Sequence, residues 1–233
     1  MSRFAHTVLC TAALAFCLVA LPLVSKGQEV TIDSQGRSVT TAPPSASTPS
    51  PSVVKPESAI PEGTCTIYSN FGSGHSYDCC SGWTENGPTS IIAPPAQLQA
   101  MAFTPTKGTY LLTQLDLAIA YISGTNGYKL ELDADDHGQP GRRIAEWKVT
   151  GLPTFGATSS AVQTIKVKGF IILCKGSRYW LVPKANSDEW AAWNQNTTGA
   201  QGTGVISTDQ GATWTPYLYN PYGTFDVLGQ RLW

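Results

Sequence analysis

Three carboxylates stand close together in the stretch 133–141, which reads DADDHGQPG. Asp133, Asp135 and Asp136 offer the hard oxygen ligands that calcium prefers, so this stretch is a candidate calcium loop. It departs from an EF-hand loop because its twelfth position is Ile144, where a bidentate Glu belongs. Asp, Gly and Pro are also ordinary turn residues, and a plain hairpin loop is therefore the alternative.

Aromatic residues are the most suggestive binding feature of the chain, which has 7 Trp and 9 Tyr. Exposed rings of this kind stack on sugar rings. Trp190 and Trp193 lie in a polar stretch, so we expect them to form part of an exposed ligand face. Asn194 and Asp188 lie beside them and would form hydrogen bonds to sugar hydroxyls. The alternative is that both Trp side chains pack in the core.

The sequence contains no evident catalytic constellation. Hydrolysis of a glycosidic bond needs two carboxyl groups that face one cleft. The sequence pairs none of the following carboxylates: Glu146, Asp188, Glu189, Asp209 and Asp226. A G-x-S-x-G nucleophile elbow is absent from the sequence, and His75 and His137 do not have the spacing of metal ligands.

The octet 207–214, STDQGATW, fits the Asp-box pattern S-x-D-x-G-x-T-W, a β-hairpin turn seen in sialidases and many other secreted β proteins. We expect Asp209 to accept backbone hydrogen bonds across the turn and Gly211 to supply a positive φ. Trp214 is expected to pack on the turn. A sialidase carries several such boxes and an arginine cluster, whereas this chain has one box and two arginines after residue 143. The box therefore predicts a structural hairpin.

The N-terminal composition predicts export. Residues 1–27 combine a short charged start, an apolar run and small residues at the −3 and −1 positions of a cut between Gly27 and Gln28, as in a secretory signal peptide. The apolar run is near the lower limit for a membrane span, so an uncleaved anchor is the alternative, and no span is expected after cleavage. Residues 28–62 are rich in Pro, Ser and Thr and predict a disordered linker.

Four cysteines follow the signal peptide: Cys65, Cys79, Cys80 and Cys174. An even number in an exported chain predicts two disulfides. A vicinal bond between Cys79 and Cys80 would be strained, so we expect one of them to bond Cys65 and the other to bond Cys174. Zinc binding is the alternative, although the spacing lacks a C-x-x-C knuckle.

Residues 63–233 read as one domain of short strands. Apolar residues alternate with period two in segments such as 97–103, 110–122 and 128–132, and Gly, Pro, Asn and Asp separate the segments. Segment 110–122 is long for a strand, so a bend or bulge is expected there, and Asn126-Gly127 predicts a hairpin turn. Long amphipathic helical patterns are absent from the sequence. The expected fold is all-β, an antiparallel β-sandwich of jelly-roll type with one Asp-box hairpin.

Short motifs occur along nearly all of residues 66–229: Asn70-Phe71-Gly72, Gly82-Trp83, Gly124-Thr125-Asn126, Gly138-Gln139-Pro140-Gly141, Gly151-Leu152-Pro153, Tyr179-Trp180-Leu181-Val182, Trp190-Ala191-Ala192-Trp193-Asn194, Thr198-Gly199 and the Asp box. Together they resemble successive motifs of the choice-of-anchor domains, R type, of bacterial exported proteins. The resemblance implies a secreted or surface-displayed β-sandwich, often joined to a sorting anchor such as a PEP-CTERM tail. It implies no catalytic residues. The chain departs from the family in its four cysteines and in reaching Trp233 without a hydrophobic anchor.

These observations favour a non-catalytic secreted module of the extracellular space or cell envelope. We expect it to act in surface or matrix adhesion by binding an extracellular glycan or an envelope component. A secreted carbohydrate-active hydrolase, either a glycoside hydrolase or an esterase, is the alternative. The net charge of −1 without a basic run argues against nucleic-acid binding. No cofactor is expected apart from the calcium considered above.

Overall fold

The computed structural model of the chain describes residues 31–32, 38–39, 63–91, 96–157 and 162–232. Every regular element in these residues is a β-strand. The domain consists of two antiparallel sheets, one of which is curled into a half-barrel. The prediction of an all-β antiparallel sandwich is confirmed. The signal peptide predicted for residues 1–27 lies outside the described residues, as does most of the linker.

The strands, in chain order, are β1 (Thr31–Ile32), β2 (Ser38–Val39), β3 (Thr64–Ser69), β4 (Gly82–Asn86), β5 (Leu98–Phe103), β6 (Tyr110–Ser123), β7 (Gly127–Asp136), β8 (Gln139–Thr150), β9 (Val162–Lys166), β10 (Ile172–Leu173), β11 (Tyr179–Ala185), β12 (Trp190–Asn194), β13 (Gly202–Ser207), β14 (Thr215–Tyr219) and β15 (Phe225–Arg231). Among the described residues, the first two strands pair only with each other. The seven-stranded sheet has the order β3-β15-β6-β12-β4, with β9 and β10 also paired to β6. The six-stranded sheet has the order β14-β13-β5-β11-β7-β8.

The main core lies between the two sheets, because alternate residues of each strand point inward. Leu117 of β6 and Phe225 of β15 come from the seven-stranded sheet, and Leu130 and Leu132 of β7 come from the other; all four are fully buried. A second, smaller cluster covers the opposite face of the six-stranded sheet and includes Trp180. This sheet is therefore packed on both faces over part of its surface.

The long strand β6 is irregular, as its length predicts. Leu112 and Leu115 both lie in the main core, although strict alternation would place them on opposite faces. The pairing of β6 with β15 shifts register between Leu228 and Gly229, opposite this part of β6. The expected bulge is confirmed, and it lets one strand contribute residues of both parities to the core.

The hairpin predicted at Asn126-Gly127 is wrong, because this turn joins β6 of one sheet to β7 of the other. The Asn126 side chain donates to Leu152 O at 2.8 Å and accepts from Leu152 N at 2.7 Å, so it ties the turn to a neighbouring segment. The two-residue hairpin lies instead between β7 and β8. His137 and Gly138 both have positive φ there, at 55° and 90°, as a type I′ turn requires.

In the described part of the chain, no helix is both long and apolar enough to cross a membrane.

Candidate functional site

The two tryptophans predicted to form an exposed ligand face are core residues. Trp190 is 3% exposed and Trp193 is 0% exposed. Both lie on β12, which is an interior strand flanked by β6 and β4. The Trp193 indole donates to Thr224 O at 3.0 Å and its ring lies 5.8 Å from that of Phe225. The prediction of exposure is wrong because the polar residues before this strand belong to a turn, while all five strand residues are buried.

The polar partners proposed for these tryptophans do not share an exposed surface with them. Asn194 is fully buried and donates to Asp78 O at 2.9 Å, which joins β12 to the loop before β4. Asp188 lies at the surface, in the turn before β12. The Thr125 hydroxyl donates to it and lowers its pKa. The predicted site at Asp188, Trp190, Trp193 and Asn194 is therefore not formed as an open face.

The candidate calcium loop is a hairpin, and its carboxylates do not converge. Asp135 accepts from the Trp180 indole at 2.8 Å and from Gly138 N at 3.2 Å. Asp136 contacts the neighbouring His137 ring, at the exposed tip. Asp133, which lies two residues before Asp135, is buried. No group of three His, Cys, Asp or Glu side chains among the described residues is placed to hold a metal ion.

The cysteines do not form the predicted pair of disulfides. Cys65, Cys79 and Cys80 are free thiols, so the two disulfides predicted among the four cysteines are not formed. The Cys65 thiol donates to Gly229 O at 3.2 Å on the adjacent strand β15. The sulfurs of Cys79 and Cys80 lie 2.9 Å apart, so these two residues face each other rather than distant partners. The count and compartment of the cysteines predicted the bonds, but spacing alone does not fix which sulfurs meet.

The Asp box has the predicted geometry. Asp209 accepts from the Ser207 hydroxyl at 2.7 Å and from Thr213 N at 2.9 Å, and its second oxygen accepts from the Thr213 hydroxyl at 2.6 Å. These bonds, the Thr213 hydroxyl first, lower the pKa of Asp209 to about 2. Gly211 has a φ of +86°, and a Cβ built on it would lie 3.2 Å from the Trp214 ring. The turn thus holds Trp214 half-buried at the surface of the six-stranded sheet.

A groove of about 260 Å³ lies beside this turn, on the face of the six-stranded sheet that points away from the main core. We call it the sheet groove. It is lined by Glu131, Asp133, Pro140, Gly141, Arg143, Lys184, Gly211 and Trp214. Three separate segments meet here: the Asp-box turn, the β7–β8 hairpin and the end of β11. A half-buried indole and four charged side chains therefore face one concave surface.

Alternation along β7 explains how charged residues reach the groove. Leu130 and Leu132 point into the main core, so Glu131 and Asp133 point to the opposite face. On the neighbouring strand β11, Val182 is paired with Glu131 and belongs to the cluster on that same face. The signal for this arrangement was present in the period-two pattern of residues 128–133. The approach of the Asp-box turn to these residues depends on the order of the strands in the sheet, which the pattern does not encode.

The two carboxyl groups in the sheet groove differ in how many cations and hydrogen-bond donors they contact. Glu131 accepts from Arg143 at 2.7 Å and from Lys184 at 2.9 Å, so each carboxylate oxygen has its own cation. Asp133 is 5% exposed, and its Oδ1 atom is buried without a hydrogen-bond partner among the residues that the structure describes. Burial, with the nearby charge of Glu131, raises the pKa of Asp133 to about 6. The groove thus offers a fixed carboxylate with two cations and a second carboxyl group with bonding capacity to spare.

A carboxyl pair and a further buried carboxyl group lie elsewhere. On the seven-stranded sheet, His75 Nε2 lies 3.1 Å from Asp226, which is paired across the strands with the buried Asp116. The hydrogen bond to Asp226 raises the pKa of His75, and burial raises that of Asp116. Glu189, before β12, is fully buried. It accepts from Gly127 N at 2.8 Å and Asn186 N at 3.1 Å, and burial raises its pKa to about 7.

The chain matches no protein-family model, no curated protein and no solved structure.

Proposed function

We propose that this protein is an exported β-sandwich module that binds an extracellular glycan in the sheet groove. The observation that carries the proposal is the position of Trp214. Its half-buried ring borders the groove, beside Glu131, Asp133, Arg143 and Lys184. An aromatic face with convergent hydrogen-bonding groups is the combination that recognises a sugar ring, which has an apolar face and a polar rim.

The size and charge of the groove support a neutral or mixed-charge sugar. A volume of about 260 Å³ lies just below the range of typical small-molecule sites and suits one part of a longer chain. Two cations and two carboxyl groups line it, so it has no strong excess of either sign. The groove is thus equipped to form hydrogen bonds with hydroxyl groups in both directions, as donor and as acceptor.

The compartment in this proposal rests on the sequence. The signal-peptide pattern of residues 1–27 and the Pro-rich linker of residues 28–62 favour export and display at a distance from the cell envelope. The resemblance to choice-of-anchor domains supports the same location and a role in surface or matrix adhesion. A glycan of the envelope or of the surrounding matrix is accordingly the partner we propose.

Binding to a glycan array, followed by titration of the best ligand, tests the proposal. We expect Trp214→Ala to weaken binding about tenfold or more, since a stacked aromatic anchor commonly contributes over 1 kcal/mol. Phe170→Ala is the matched control, because Phe170 is 75% exposed and lies between strands of the other sheet. Equal binding by the two variants, or binding by neither the variants nor the wild type, would refute the groove as a glycan site.

A further inference from the structure

A short loop leaves the seven-stranded sheet between β9 and β10, which both pair with β6. The Val167 amide donates to Thr113 O at 2.9 Å, and the Leu112 amide donates to Ile171 O at 2.9 Å. The chain therefore passes through three residues while β6 advances by one, so these three residues cannot follow the sheet. We call them the edge loop, and all three are exposed: Lys168, Gly169 and Phe170.

The edge loop presents a large apolar side chain to solvent. Phe170 is 75% exposed, whereas Val167 and Ile171 on either side of the loop pack against the main core. Gly169 has a φ of +112°, a backbone conformation that suits glycine and turns the chain at the tip. A single exposed apolar residue is common on protein surfaces, so the role of Phe170 depends on what surrounds it.

Cations from neighbouring segments gather at the same end of the sandwich. The strand β10 leads from the edge loop into the turn before β11, and it pairs with the first residues of β6. Gly176 N donates to Pro105 O at 2.8 Å, which joins that turn to the loop after β5. Leu232 N donates to Thr109 O at 2.9 Å, which brings the end of β15 to the same loop. The exposed cations of these segments and of the edge loop form what we call the basic face: Lys107, Lys168, Lys175 and Arg231.

The segments that form the basic face have no acidic residue to balance it. Residues 104–110, 166–178 and 228–232 contain no Asp or Glu, although the whole chain has a net charge of −1. The next cation, Arg178, lies 3.8 Å from Asp135 and is therefore left out of the face. Like charges gathered in this way produce a positive potential that attracts anions.

We propose that the basic face and Phe170 dock this domain on an anionic phospholipid membrane. The four cations contact lipid phosphates, and the Phe170 ring enters the boundary between the headgroups and the acyl chains. An aromatic ring beside a lysine suits this boundary, because the ring leaves water while the ammonium group stays among the phosphates. The inference goes beyond the proposed glycan binding and does not depend on it, because other residues line the sheet groove.

An acidic polysaccharide is the other anionic partner that a basic face could bind. A ring that binds sugar is accompanied by groups that both donate hydrogen bonds to hydroxyls and accept them, as in the sheet groove. Beside Phe170, the edge loop offers a glycine and an ammonium group, which donates hydrogen bonds but cannot accept them. An isolated apolar ring among cations therefore favours the lipid surface.

Sedimentation with lipid vesicles tests the proposal on the protein as it is exported. The probes are vesicles of phosphatidylcholine alone and vesicles of phosphatidylcholine mixed equally with phosphatidylglycerol. We expect binding to the anionic vesicles, and binding to the neutral vesicles that is weaker by about 100-fold, because the cations there have no anionic partner. Raising the salt concentration from about 0.05 M to about 0.5 M should release the protein, since salt screens the attraction between exposed charges.

Two sets of substitutions separate the cations from the apolar ring. The cation variant replaces three lysines by Gln: Lys107, Lys168 and Lys175. It should bind the anionic vesicles about 100-fold more weakly, at about fivefold for each lysine removed. Phe170→Ala should weaken binding about tenfold, because less apolar surface leaves water. The matched controls are Lys148→Gln, an exposed cation on β8, and Leu218→Ala, which is 58% exposed on β14, and both should bind as the wild type does.

Phe170→Trp locates the ring directly and leaves every cation in place. On anionic vesicles with brominated acyl chains, this variant should lose more of its tryptophan emission than the wild type does, because bromine quenches an indole that reaches the acyl chains.

Absence of binding to the anionic vesicles at low salt overturns the proposal. Binding that the cation variant and Phe170→Ala leave unchanged overturns it as well. Loss of binding in the cation variant, without added quenching in Phe170→Trp, refutes docking through the ring. Retention of the wild type by pectate without binding to vesicles would assign the basic face to an acidic polysaccharide and would likewise overturn membrane docking.

Discussion

Replacement of Trp193 by Ala tests the placement of β12 inside the sandwich. The side chain is 0% exposed and packs against Phe225, so its removal leaves a cavity in the main core. Loss of a buried Trp typically costs about 3–5 kcal/mol. The indole also donates to Thr224 O, and loss of this hydrogen bond adds at most about 1 kcal/mol, because Thr224 O still accepts from Ala118 N at 3.1 Å. The expected loss is a large share of the stability of an ordinary domain.

The assay is urea denaturation of the full-length protein. The urea concentrations at the unfolding midpoint are compared between variants whose unfolding free energy has the same dependence on urea concentration. Trp193→Phe serves as an intermediate variant, since it keeps an aromatic ring in the core and removes only the indole donor and part of the volume. Trp214→Ala serves as the control, because its ring is half-buried at the surface. A Trp193→Ala loss no larger than that of Trp214→Ala would show that β12 does not lie in the core.

Three further predictions concern titratable groups. Because the pKa of Glu189 is raised to about 7, the folded protein keeps a proton that the unfolded chain releases near pH 4.5. The free energy of unfolding should therefore fall as the pH rises from about 4.5 to 7. Denaturation at pH 5 and at pH 8 should show a smaller fall in Glu189→Gln than in the wild type. The stability that His75 gains from Asp226 is fully present below pH 6.5 and is lost as the pH rises from there through the raised pKa of the folded state. NMR titration should show that pKa return toward its ordinary value in Asp226→Asn. Asp209→Ala should speed hydrogen exchange of the Thr213 amide, whereas an unchanged rate would contradict the Asp-box bond.

Local sequence rules predicted where the strands and turns of this fold lie better than they predicted which strands pair with each other. Period-two alternation identified β6 as one long strand with an irregularity, and the octet around Asp209 identified its turn. In contrast, Asn126-Gly127 has the residues of a tight hairpin, yet it connects the two sheets. Turn residues set the backbone conformation of a turn, but the partner of the next strand depends on which faces must be covered.

The binding site predicted from the sequence differs from the candidate site in the structure, because burial depends on strand order. Trp190 and Trp193 follow charged residues and looked exposed, but β12 is an interior strand and all five of its residues are buried, so both of its faces are covered. Glu131 and Asp133 are the reverse case, in which alternation along one strand already placed two carboxyl groups on the face away from Leu130. What the sequence did not contain was the strand order that brings Trp214 to the same groove.

NMR mapping of a bound glycan is the most direct test of the sheet groove as the binding site. With the best array ligand added to ¹⁵N-labelled protein, we predict shifts of the Trp214 indole signal and of the Gly211 amide signal, because both residues line the groove. The indole signals of Trp190 and Trp193, buried on β12, should stay in place. Shifts confined to other surfaces, with the Trp214 and Gly211 signals unmoved, would contradict the account.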